Sequence, residues 1–247
     1  MEKKKLKGMV FAALFAALTA VVASFKIPLP FSPVPITLQT LMVLLSGAML
    51  GPIYGALAMI IYLVLGAIGL PVFAGGSSGI PALLGATGGY LFSYPVAAFV
   101  IGYMLQKKKL NAFINYFSFA VIFALVALVG IDSFFNIGII PFLAKITLNV
   151  RNLVAALSMI CILFFVLLVI YAKKTKRISL DMVLAMFAGT LIIYLMGVLQ
   201  AKFVVKPEPT WNMLLVGWVL PFILGDTIKL IIAAYIAKNV DIKRYTK

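Results

Sequence analysis

Asp226 and Lys229 are the residues best placed to do chemistry. They lie in the apolar stretch WVLPFILGDTIKLIIAAYIA, and they are the only acid and base set deep within a predicted helix. A spacing of three puts both on one helix face. An ionised group inside a hydrocarbon layer costs at least about 2.5 kcal/mol, so such groups turn to a bundle interior, pair, and mark the path of a substrate or ion. The plainer alternative is a pair that neutralises itself and ties helices together. Pro221 suits the first helical position, where its missing N–H is no loss, and that start sets Asp226 in the second turn.

Two further segments offer polar groups. The run TGGY, Thr87 to Tyr90, opens a predicted helix. Gly88 and Gly89 there leave backbone N–H groups that can meet an anion or a carbonyl, and Tyr90 adds an aromatic face and a hydroxyl. The same residues also suit a glycine turn with an interfacial tyrosine. In PVPITLQT, Thr37 and Gln39 stand at the mouth of another helix, as hydrogen-bonding groups of a site or only as polar residues of a helix start. A third pattern is steric. Ala12, Ala16 and Ala20 recur every four residues, with Ala13 and Ala17 beside them. Small residues on one face let a second helix approach closely, from a partner or from the same chain.

The elements that must hold these residues are membrane helices. Of the 247 residues 64% are hydrophobic and mean hydropathy is +1.18, against roughly 45 to 50% apolar residues in a soluble domain. There is no histidine, and the single Cys161 lies in an apolar run. A His or Cys metal site, a disulfide framework and a Ser-His-Asp triad therefore lack their parts, and no cofactor is expected. Nor is there a GxxxxGK[ST] stretch to cradle a nucleotide, so ATP-driven work needs another subunit. The net charge of +15 does not indicate nucleic acid, because the basic residues punctuate apolar runs instead of forming one patch.

Spans are expected at about 8–25, 38–50, 53–70, 88–106, 112–130, 152–172, 180–202 and 211–237. This makes an all-α polytopic protein of eight helices. Prolines break the chain at 28–35, Gly51 and Pro52 divide a tight helical hairpin, and 71–87 is a glycine-rich loop folded into or over a cavity. Irregular backbone at membrane depth survives only where protein or water surrounds it. With the N-terminus inside, 15 of the 21 basic residues fall on the cytoplasmic side, which fits the positive-inside rule. Both termini are then cytoplasmic, and the basic clusters serve as topology determinants and contacts to anionic lipid.

Three separated blocks, PVPITLQTLMVLLSGAMLGPIYGALAMIIYLVLGAIGLPVFAGGSSG, LLGATGGYLFSYPVAAFVIGYM and PFILGDTIKLIIAAYIA, resemble the BioY family of S-components. These are the biotin-binding subunits of energy-coupling factor (ECF) transporters in the bacterial cell membrane. The resemblance implies a six-helix core, here 8–106 and 180–238, with an inserted helical hairpin at about 110–178. It implies a biotin pocket near the outer face, with Asp226 and Lys229 meeting the ureido ring, or else Lys229 meeting the valerate carboxylate. Thr87, Gly88, Gly89 and Tyr90 would contribute backbone donors and a ring, with Thr37 and Gln39 beside them. The loops holding Pro33, Pro35, Gly75 and Gly76 would close over the ligand. Ala12, Ala16 and Ala20 would dock on a transmembrane coupling subunit that carries two ATPase subunits. The competing expectation is a proton-coupled permease that acts alone and titrates Asp226; an enzyme would need paired carboxylates or an activated nucleophile, and neither is visible.

Overall fold

The computed structural model describes residues 2–30, 32–106 and 179–240. The spans expected at 112–130 and 152–172, and the inserted hairpin that contains them, lie outside the described residues. Within these limits five helices are long and apolar enough to cross a membrane. They are α1 (Glu2–Ser24), α2 (Gln39–Ala67), α4 (Gly88–Gln106), α5 (Leu180–Val204) and α6 (Leu220–Asn239) with its lead-in. A short α3 (Gly79–Leu84) precedes α4.

α2 is the expected hairpin. At Gly51 the backbone takes φ 81°, a left-handed conformation open to glycine at little cost, and Pro52 starts the return leg with its fixed φ. The legs, 39–50 and 52–67, lie so close that a Cβ on Gly55 would come within 2.8 Å of the Ser46 carbonyl oxygen. α4 packs along this hairpin. A Cβ at Gly47 would meet the Ala98 carbonyl at 2.6 Å, and one at Gly102 the Pro52 nitrogen at 2.3 Å. Glycine spacing thus sets how near the backbones come, which matters where lipid supplies no hydrophobic drive between helices.

α1 packs on the same hairpin through Ala12, Phe15, Ala16 and Ala23, all buried. Its first turns lie by the Gly51 bend, where the Tyr54 ring covers Gly8. Its far end leads into a two-stranded antiparallel ribbon, β1 (Lys26–Leu29) and β2 (Ser32–Thr37), paired Lys26 to Thr37 and Ile27 to Ile36. The proline run therefore forms a ribbon, not the irregular loop expected. In a two-stranded ribbon both strands are edges, so prolines can turn their missing donors outward.

The glycine-rich stretch after α2 is held by Phe73, which is 1% exposed and meets Tyr62 edge-on with ring centroids 5.5 Å apart. Beyond it come a single 3₁₀ turn, Ala74–Gly76, and α3. The last span is interrupted. A turn at Trp211–Leu214 passes into a π-helical stretch, Leu215–Val219, before α6 begins with its proline in the first turn. Lys202 steadies this approach through an ion pair of 2.8 Å with Glu208 and a position 5.3 Å over the Trp211 ring.

Candidate binding site

α6 carries Asp226 and Lys229 into the bundle, where they are 6% and 8% exposed and form an ion pair of 2.8 Å. Two other helices complete the cluster. From the start of α2, Thr40 donates to Asp226 Oδ1 at 3.1 Å and accepts from Lys229 Nζ at 3.2 Å. From α5, Tyr194 donates to Asp226 Oδ2 at 2.7 Å. A carboxylate has about four acceptor sites and an ammonium three donors. Three hydrogen bonds therefore leave Asp226 room for one more, and two leave Lys229 with one N–H to spare. The site can accept one hydrogen bond and donate one, side by side, from a charge-neutral and nearly dry floor.

Above this floor is a cavity whose empty space, open mouth included, is about 660 Å³. Its walls are mainly apolar and aromatic, with Phe73, Tyr90, Leu91, Tyr94, Ile193 and Phe222 prominent, and Val34, Pro35 and Thr37 close one side. It lies at the end of the bundle where α1 finishes, opposite the Gly51 bend.

Thr37, Gln39, Thr87, Tyr90 and Pro35 line this cavity together with the charged pair. Gln39 is 3% exposed; it accepts from the Thr37 hydroxyl at 2.9 Å and donates to the Tyr62 hydroxyl, which donates to the Val72 carbonyl at 3.0 Å. Tyr90 presents its ring, but its hydroxyl is engaged with the Trp218 carbonyl at 2.6 Å. That carbonyl belongs to the π-helical stretch, and the neighbouring Gly217 carbonyl accepts from Ser32 of β2. A π-turn frees carbonyls from the regular ladder; here they hold the ribbon and α4 against the approach to α6.

Other expected residues lie elsewhere. Gly88 and Gly89 are outside the cavity wall: a Cβ would fall 1.7 Å from the Leu83 carbonyl oxygen at Gly88, and 2.2 Å from the Met196 carbonyl oxygen at Gly89. Their smallness lets α4 meet α3 and α5, and the Gly88 N–H is spent on the Gly85 carbonyl at 3.1 Å. Pro33 is exposed on the ribbon and does not line the cavity. Gly75 and Gly76, both with positive φ, are absent from the wall although their neighbours Ala74 and Ser77 form part of it. Ala12 and Ala16 are fully enclosed within the chain and Ala20 is half-buried. They serve packing on α2 and offer no free docking face; the alanines exposed on α1 are Ala13 and Ala17.

Sequence reasoning missed Thr40, Tyr194, Tyr94 and Phe73. Thr40 follows Gln39 directly, so it was within reach. Tyr194 lies in a run with no other polar side chain nearer than Thr190 and Gln200, and nothing in that run ties it to Asp226.

Fold and cavity together define a multi-pass membrane protein with a cavity between its helices that a charged pair lines. The BioY family profile matches residues 1–174 and 158–245, and the chain belongs to that family. A probable biotin transporter BioY of Pyrococcus horikoshii is 41% identical over 144 residues, covering 56% of this chain and 86% of that protein. The biotin transporter BioY of Thermotoga maritima is 48% identical over 104 residues, 42% of this chain and 60% of its own length. In fold the chain is similar to the crystal structure of the S-component for biotin from an ECF-type ABC transporter, with a TM-score of 0.63 over 97% of this chain and 93% of that one at 23% identity.

Proposed function

We propose that the chain binds biotin in this cavity and is the substrate-specific subunit of an ATP-driven ECF transporter. The observation that carries the reading is the buried Asp226–Lys229 pair, with one acceptor and one donor left over at the foot of an apolar, aromatic cavity. A ureido ring offers an N–H to a carboxylate and a carbonyl to an ammonium, and the fused sulfur ring suits the Tyr90, Tyr94 and Phe222 walls. The names of the relatives point to the same ligand.

The cavity opens at the end away from Lys3, Lys4, Lys5, Lys7 and Lys238. By the positive-inside rule those lysines are cytoplasmic, so the ligand enters from outside and both termini face the cytoplasm. Residues from about 110 to 178 are read as an insertion into the six-helix core. Without a phosphate-binding loop of its own, the chain depends on a coupling subunit and two ATPase subunits for energy. The coupling subunit docks on the exposed side of α1, where Ala13 and Ala17 allow close backbone approach.

Calorimetry on the purified chain in detergent tests the binding step. Saturable biotin binding without ATP or partners is expected; riboflavin or thiamine bound in its place would move the chain to another substrate. Uptake by liposomes of the chain alone under a proton gradient would instead support a self-sufficient permease.

A further inference from the structure

Lys26 opens β1, and the strand register pairs it with Thr37. Directly paired residues project to the same face of a two-stranded ribbon. Thr37 lines the cavity, so the Lys26 side chain leaves the backbone on the cavity face. It then runs across Gly75: a Cβ built there would fall 2.3 Å from the lysine Cδ and Cε and 2.5 Å from Nζ. Ala74 and Ser77, flanking that glycine closely, are part of the cavity wall. The ammonium therefore sits at the rim, between the ribbon and the turn that follows Phe73. Gly75, with φ 66°, leaves it the space.

This cation has no countercharge among the described residues, whose ion pairs are Lys202 with Glu208 and Lys229 with Asp226. At the floor the charges already cancel, and Lys229 is held by both Asp226 and Thr40. An anionic ligand group finds little net attraction there. At the rim it finds an unmatched ammonium. The cavity is thus polarised along its depth, with a neutral hydrogen-bonding floor, apolar walls and a positive mouth.

We infer that Lys26 receives the carboxylate of the ligand and sets the preference for the acid over its neutral derivatives. The inference deepens the biotin reading and rests on it: the ureido ring lies on the Asp226–Lys229 floor and the valerate carboxylate at the mouth, not on Lys229.

The test compares biotin with biotin amide, which keeps the rings and loses the charge, on the wild-type chain, Lys26→Gln and Lys26→Arg. At low salt the wild type should prefer biotin about fivefold, the contribution of an exposed ion pair, and added salt should erode that preference. Lys26→Gln should lose the preference while binding the amide as the wild type does, which also shows that the variant is folded. Lys26→Arg should retain it. Equal weakening of both ligands by Lys26→Gln would make the lysine a packing contact, and an undiminished preference would assign the carboxylate to another group; either result overturns the inference while biotin binding stands. A wild-type chain that binds neither ligand would overturn the biotin reading and this inference together.

Discussion

Tyr194 and Asp226 come from successive helices, 32 residues apart, and the tyrosine hydroxyl donates to Oδ2 of the aspartate at 2.7 Å while Lys229 holds Oδ1. The carboxylate is gripped at both oxygens from different elements, so its plane is fixed before a ligand arrives. Preorganisation of this kind lowers the ordering cost of binding.

Tyr194→Phe removes one grip and keeps the ring. Biotin affinity should fall by about 1 to 2 kcal/mol, the worth of a hydrogen bond to a charged group, with little change in thermal unfolding. Calorimetry beside a melting curve reads both quantities. An unaltered affinity would mean that the hydroxyl does not orient the carboxylate.

Asp226→Asn and Lys229→Ala each leave the other member of a buried pair without its partner. Binding should weaken by about 2 to 5 kcal/mol in each case, as for hydrogen-bonded charges at an interface. Wild-type affinity in both variants would reduce the pair to a tie between helices.

Gly89→Ala tests packing against ligand contact. The added methyl would press on the Met196 carbonyl at 2.2 Å, and overpacking costs about 1 to 3 kcal/mol. The ligand-free protein should therefore melt at a lower temperature. A normal melting curve combined with lost biotin affinity would return Gly88 and Gly89 to the site as backbone donors.

The alanines of α1 separate into two sets. Ala12→Trp with Ala16→Trp should prevent folding, because both positions are fully buried. Ala13→Trp with Ala17→Trp should leave biotin binding intact and abolish co-purification with the coupling subunit. If the second pair still assembles, the docking surface is on another helix.

What could be read from the sequence follows the physics that acts along it. Charge in an apolar run exposed Asp226 and Lys229, and the Gly51–Pro52 pair marked a bend that the structure places there. Helix limits were nearly right for α4 and α5, since Gly88 and Ser179 border continuous apolar runs. Helical phase was the weak point. Ala12 and Ala13 differ by one position and point to different surroundings, and an all-apolar helix gives no polar face to orient it. The same difficulty hid Tyr194, whose role depends on the rotation of α5 toward α6. Gly88 and Gly89 were ambiguous because glycine serves backbone donation and close packing equally, and only the neighbouring carbonyls distinguish them. The ribbon is hidden in the sequence because prolines signal a break, although edge strands admit them.

The bend at Gly51 also acts as a depth gauge. At about 1.5 Å per residue, the leg 39–50 rises only about 18 Å from the bend, well short of a hydrocarbon core about 30 Å thick. Measured from the bend, Gln39 and Thr40 therefore lie less than one core thickness away, and the ribbon and the Phe73 turn cap that end of the bundle. The altitude of the binding floor is therefore written in the length of one truncated helix. Inserting a full turn into that leg would raise Gln39 and Thr40 by about 5.4 Å while leaving Asp226 and Lys229 where they are, shearing the floor apart without altering any residue that forms it.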